Sequence, residues 1–127
     1  MRPSPVGTPE WASNDDVEAA QADFDRNGFG GALNLYRAIP LSSELMMAFA
    51  GRAVLQPSYF VFGDSDGLNQ LRMPVEEELK VGCPDLRGFV QIDDAGHWPQ
   101  LEQTLTFNKL LLEFLAEVHG GLDQFDQ

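Results

Sequence analysis

The chain has 127 residues, 43% of them hydrophobic, which is enough apolar material for one domain with a single core. Its 20 acidic and 8 basic residues give a formal net charge of -12, which argues against unspecific binding to nucleic acid phosphates or to an anionic lipid surface. A single cysteine, Cys83, allows no internal disulfide, and no uncharged apolar run reaches the roughly 18 to 20 residues of a membrane span, so a soluble protein of the reducing cytoplasm is expected.

Residues 1–10 contain Pro3, Pro5, Pro9 and Gly7 and read as a loose, extended arm. Ser13 stands as an N-cap with Asp16 three residues on, predicting a helix to about Arg26 that Asn27-Gly28 ends. Phe29 to Ile39 reads as a second short helix stopped by Pro40, with a further helical piece over Ser42 to Ala50. At Pro57 the texture changes. Ser58-Tyr59-Phe60-Val61-Phe62 is a continuous aromatic and β-branched run, which predicts a strand buried on both faces. Gly63-Asp64-Ser65-Asp66-Gly67 follows as a turn, then a helix from about Met73 to Val81 that Gly82 and Pro84 end, and a second strand from Gly88 to Ile92. In the last helix Leu105, Leu111, Phe114, Leu115 and Val118 form one stripe, with Leu101 a turn before and Gly120-Gly121 closing it. Residues 121–127 remain as a tail.

This order makes residues 51–120 a βαβα unit behind a helical segment over 11–50, and buried strand runs imply a parallel sheet with helices on both faces. A sheet of two parallel strands leaves both edges open, which invites pairing with another chain.

In open α/β sheets the working residues sit past the carboxyl ends of strands. Asp64 and Asp66 follow the first strand, and Asp93-Asp94-Ala95-Gly96-His97-Trp98 follows the second. A carboxylate that orients the imidazole would make His97 a general base near neutral pH, which pairs it with Asp66. On spacing alone the same residues also read as a loop histidine and turn carboxylates. Gly63-Asp64-Ser65-Asp66-Gly67 formally satisfies the G-x-S-x-G nucleophile elbow, but two carboxylates flanking Ser65 would oppose an oxyanion and Pro74 interrupts the helix an elbow requires. Cys83 lacks a cationic neighbour in sequence, His119 suits a helix end, Met46-Met47 suit packing, and Glu76-Glu77-Glu78 suit a solvated face. The two histidines, far apart, form no zinc motif, and no metal or cofactor is expected.

Three segments taken together resemble the carboxyl-terminal half of an α/β-hydrolase of the epoxide hydrolase family. Asn27-Gly28-Phe29-Gly30-Gly31-Ala32-Leu33-Asn34-Leu35-Tyr36-Arg37 is similar to the family's lid pattern Gly-Phe-x-Gly-x-Leu-Asn-Trp-Tyr-Arg. Gln56-Pro57 to Asp66 resembles the late strand and loop of the triad acid, and Gly96-His97-Trp98 the histidine loop. The resemblance implies an α/β fold, the carboxyl-terminal part of an α/β-hydrolase, with two parallel strands and flanking helices preceded by the lid segment. It also implies a chemistry in which a carboxylate nucleophile opens the epoxide to an alkyl-enzyme ester and histidine-activated water releases the diol. By the same resemblance Tyr36 donates to the ring oxygen, Asp66 is the triad acid, His97 is the base, and Leu35, Leu68 and Trp98 line the pocket. Leu35 and Ala32 stand where the family has tryptophan and often proline, which alters pocket shape more than chemistry.

The family's aspartate nucleophile, oxyanion loop and second lid tyrosine have no counterpart in the sequence. The expectation is therefore a half-enzyme with no epoxide hydrolysis of its own, taking a small-molecule epoxide once an amino-terminal half complements it. An alternative is a non-catalytic module whose open strand edge pairs with a second copy or a partner chain. An esterase or dehalogenase on the same fold is a further alternative.

Overall fold

The computed structural model describes residues 7–69 and 71–122, so the first six residues of the expected arm and most of the expected tail over 121–127 lie outside it. Helix α1 (Asn14–Asn27) starts where its sequence caps it. The Ser13 hydroxyl accepts the Asp16 amide at 3.1 Å while the Asp16 carboxylate accepts the Ser13 amide at 3.0 Å, a reciprocal capping box. The Ser13 hydroxyl and amide together hold the Asp16 carboxyl below its ordinary range. Gly28 ends the helix with φ 64°, a left-handed conformation that suits glycine, and gives its N–H to the Phe24 carbonyl at 2.7 Å. The turn is pinned by the stacked rings of Phe24 and Phe29, with centroids 4.5 Å apart.

Helices α2 (Gly30–Arg37) and α3 (Ile39–Met46) follow, and a 3₁₀ turn covers Met47–Phe49. Pro40 does not stop the chain's helical course as expected; it lies in the first turn of α3, which begins at Ile39 rather than Ser42. The reason is that a helix start leaves its first N–H groups unpaired, so proline loses nothing there. The chain passes between the two helices through Ala38, which donates to the Asn34 carbonyl at 2.9 Å and accepts from Ser42 at 2.8 Å. Arg52 closes one compact unit and Ala53 opens the other.

The second unit holds β1 (Ser58–Gly63), α4 (Glu76–Gly82), β2 (Leu86–Ile92), α5 (Pro99–Glu102) and α6 (Thr104–Leu122). The strands pair in parallel, with Tyr59 opposite Gly88 and Gly63 opposite Ile92, and are the two strands of the sheet among the described residues. Helix α4 begins at Glu76, later than expected, because Pro74 and the extended Val75 precede it. Phe60, Phe62 and Phe89 cluster on the sheet, the Phe62 and Phe89 rings 5.1 Å apart. Tyr59 meets Phe114 of α6 at 5.3 Å, and Arg87 of β2 joins Asp85 and Glu117, both at 2.6 Å.

The expected burial of β1 on both faces holds only at its carboxyl end. Phe62 and Gly63 are buried and Ser58 to Val61 are half-buried, since a sheet of two strands with few covering helices shields only the end where the loops fold over it. Of the buried apolar residues, Phe62 and Ile92 lie at that end of the strands and Ala95 in the loop that follows β2.

The last helix differs from its sequence reading in three ways. Leu101 belongs to the separate short helix α5, because Gln103 leaves the helical region at φ -133°. Leu105 is 87% exposed, and the half-buried face of α6 is Phe107, Leu110, Phe114 and Val118. Phe114 and Val118 share the expected period, but its phase is set by the sheet the helix packs on, and that is not encoded in α6 alone. Finally, α6 continues through Gly120-Gly121 to Leu122. Among the described residues no helix is long and apolar enough to cross a membrane.

Candidate active site

The loops after β1 and β2 meet at Gly63. A side-chain Cβ at this residue would fall inside van der Waals contact of the Ala95 and Gly96 carbonyl oxygens, so the strand end and the histidine loop touch backbone to backbone. The contact is stitched by hydrogen bonds from the Asp64 amide to the Ile92 carbonyl at 3.0 Å and from the Ser65 amide to the Ala95 carbonyl at 2.8 Å. Asn69 adds its side-chain amide to the Gly63 carbonyl at 3.1 Å.

On this platform Asp66 and His97 face each other. Asp66 Oδ1 accepts the Leu68 amide at 2.9 Å, which orients the carboxylate as in an Asx turn, and Oδ2 lies 3.0 Å from His97 Nδ1. With Nδ1–H given to the carboxylate, Nε2 is the basic nitrogen of the ring. Asp66 is 14% exposed at its side chain and His97 53%, so the acid is sheltered and the imidazole is open to solvent. Trp98 lies edge-on to the imidazole with ring centroids 5.0 Å apart.

Burial alone would push the Asp66 carboxyl up, but the Leu68 amide and the His97 imidazole together outweigh it and hold the group below its ordinary value. A carboxyl whose folded pKa lies below its unfolded value of about 3.9 stabilises the fold above that pH and stops doing so as pH falls through the lower folded value. Asp66→Asn is therefore expected to narrow the gap in melting temperature to the parent as pH drops from 6 toward 2, the other carboxylates cancelling in the comparison. Circular dichroism melts across that range check it, and parallel curves would show that Asp66 carries no such linkage.

Within this unit the structure brings Asp66, Leu68, His97 and Trp98 together, while Leu68 and Trp98 are 60% and 51% exposed. Tyr36 and Leu35 stand on α2 of the other unit, also exposed. Ser65 does not sit on an elbow: the chain after it runs through turns, and α4 begins only at Glu76. The serine nucleophile is thereby excluded on geometry, since an elbow needs the strand to pass straight into a helix. Among the described residues no three His, Cys, Asp or Glu gather as metal ligands.

Sequence reasoning passed over Glu102, whose carboxylate accepts the Gly96 amide at 2.7 Å and the Trp98 amide at 3.0 Å. The available signal was Pro99 opening a helix with an acidic residue one turn on, the spacing at which a side chain reaches back to the residues before the helix.

No family model matches the chain. An epoxide hydrolase of Caballeronia sordidicola is 38% identical over 121 residues, 95% of this chain and 37% of its own. Epoxide hydrolase A of Mycobacterium tuberculosis is 34% identical over 114 residues, 90% of this chain and 35% of its own. Among solved structures, epoxide hydrolase A of Mycobacterium thermoresistibile superposes with a TM-score of 0.78 at 32% identity over 89% of this chain and 35% of its own. Potato (Solanum tuberosum) epoxide hydrolase I does so with a TM-score of 0.79 at 26% identity over 85% of this chain and 35% of its own. The parallel pair of strands, their helices and these superpositions define the carboxyl-terminal part of an α/β-hydrolase fold. Within that superfamily the chain matches the carboxyl-terminal part of epoxide hydrolases over most of its length, and it spans about a third of the length of the curated relatives it matches.

Proposed function

We propose that this chain is the part of an epoxide hydrolase that supplies the water-activating pair and one oxygen-binding tyrosine, and that the nucleophile comes from an amino-terminal part. The observation that carries this reading is the 3.0 Å contact between Asp66 and His97, set across the carboxyl ends of two adjacent parallel strands. Residues 11–50 act as lid and 51–120 as core. An attacking carboxylate of the amino-terminal part opens the ring to an ester, with Tyr36 donating a hydrogen bond to the ring oxygen as it gains charge. His97 Nε2 then takes one proton from water and the hydroxide adds to the ester carbonyl. The adduct collapses by breaking the bond to the ester oxygen, the imidazolium proton and the proton carried by the hydroxide pass to the two oxygens of the diol, and the diol leaves with the carboxylate restored. Asp66 stabilises that imidazolium and fixes the tautomer. Leu35, Leu68 and Trp98 supply apolar wall.

None of the carboxylates after β1 or β2 among the described residues stands at a strand-to-helix elbow, which supports assigning the nucleophile elsewhere. A docking face for further elements is also at hand. An apolar cleft of about 330 Å³ between β1 and α6 is lined by Tyr59, Phe60, Val61, Phe107, Leu111 and Phe114. The same cleft favours a second reading, a non-catalytic module that pairs with its own copy through this face.

Styrene oxide turnover separates the two. Residues 1–127 alone are expected to form no diol, and co-expression with the amino-terminal part of the Caballeronia sordidicola relative is expected to yield a complex that does. Diol formation by the purified chain alone, abolished by His97→Ala, would overturn the division of labour. A stable, inactive dimer in size-exclusion chromatography that refuses the amino-terminal part would favour the module.

A further inference from the structure

We propose that Glu102 is the positioning residue of the histidine loop, holding His97 on Asp66 by gripping the backbone on both sides of it. The inference rests on the reading of Asp66 and His97 as the working pair. Its starting point is that His97 is half exposed, so packing does not lock the imidazole and its place depends on the backbone that carries it. That backbone is held from one side by the turn after β1, through the Ser65 amide on the Ala95 carbonyl. Glu102 holds it from the other. Its Oε2 accepts the Gly96 amide at 2.7 Å and its Oε1 accepts the Trp98 amide at 3.0 Å, the backbone N–H groups of the residues before and after His97.

Both bonds end on a carboxylate, and the one to the Gly96 amide is half-buried while the one to the Trp98 amide is exposed, so the Gly96 bond is the stronger hold. The grip is close: a Cβ on Gly96 would stand 3.0 to 3.4 Å from the Glu102 carboxylate, tighter than ordinary contact. The loop also has strain to restrain. Asp94 sits at φ 59°, the one non-glycine residue with a positive φ among those described, and its carbonyl accepts the Gln103 side chain at 3.3 Å. Glutamine at 102 keeps the length but offers one acceptor oxygen in place of two and turns an NH₂ group toward one of the amides.

The test is NMR on the folded chain with Glu102→Gln, Glu102→Asp and, as reference, Asp66→Asn. In Glu102→Gln the Gly96 and Trp98 amides are expected to exchange at least tenfold faster, and the downfield Nδ1 proton of His97 to broaden or vanish as it does in Asp66→Asn. Amides of the β1–β2 ladder are expected to keep their protection, which separates positioning from general loosening. An Nδ1 signal that persists in Glu102→Gln while Asp66→Asn removes it would overturn the role of Glu102 and leave the pair intact. A signal that persists in Asp66→Asn would overturn the pair itself, and this inference with it. Should Glu102→Gln fail to fold, Glu102→Asp decides by the same comparison. Global unfolding of both would make Glu102 a fold stabiliser rather than a positioning residue.

Discussion

Gly63→Ala is expected to destabilise the second unit by about 3 kcal/mol and to lower its melting temperature by about 12 to 24 °C, an unusually large effect for adding one methyl group. The reason is space rather than backbone conformation, since Gly63 does not occupy the left-handed region. Its added Cβ would run into the Ala95 and Gly96 carbonyl oxygens, which are backbone atoms of a loop tied down on both sides and cannot swing away. Other glycines provide the controls. A Cβ at Gly88 would meet the Tyr59 ring, a side chain able to turn, so Gly88→Ala should cost less. At Gly30, at the start of α2 with nothing nearby, alanine should be neutral or slightly stabilising. Thermal melts of the three variants order them, and a Gly63→Ala protein within 0.5 kcal/mol of the parent would show that the strand end and the histidine loop are not locked together.

The elements that could be read from the sequence are those whose signals are local. The Ser13 and Asp16 capping box, the Gly28 stop, the β1 run and the Gly82 end of α4 each depend on residues within one turn or one strand. The juxtaposition of Asp66 and His97 was also accessible, because a parallel βα connection puts the loops after both strands on the same end of the sheet. What was not accessible depends on partners distant in sequence. Pro40 could end one helix or begin the next, and the choice went to the chain geometry around Ala38. Leu105 matched the helical period yet points away from the core, because the sheet selects which face of α6 it uses. The continuous apolar run of β1 carried the expectation of two-sided burial, but burial is a property of neighbours, and Ser58 to Val61 remain half covered. Glu102 left only a local trace, an acidic residue one turn after Pro99, because its partners are two backbone amides, which leave no residue-type signature of their own.

In the complex with an amino-terminal part, His97→Gln is expected to lower steady-state diol formation by about 10³ to 10⁴-fold while leaving ring opening nearly intact. The separation follows from what each group touches in the proposed scheme. The carboxylate that opens the epoxide needs no proton removed from it, so the first step proceeds without His97. The second step requires a water to lose its proton to Nε2, and glutamine cannot take one. The ester should therefore accumulate, visible as an adduct of substrate mass on the amino-terminal part and as a stoichiometric burst of epoxide consumption. Asp66→Asn should also accumulate ester, because an amide that offers its oxygen more weakly, or its NH₂ instead, neither stabilises the imidazolium nor fixes Nδ1–H toward residue 66. Tyr36→Phe should do the opposite, slowing adduct formation about 10²-fold or more without trapping the ester, since its hydroxyl serves only the ring oxygen. A His97→Gln complex that turns over within tenfold of the parent would remove the imidazole from the water-activating role. Ester trapping by Tyr36→Phe would show that the lid segment acts on the second step, and the assignment of Tyr36 to ring opening would fall.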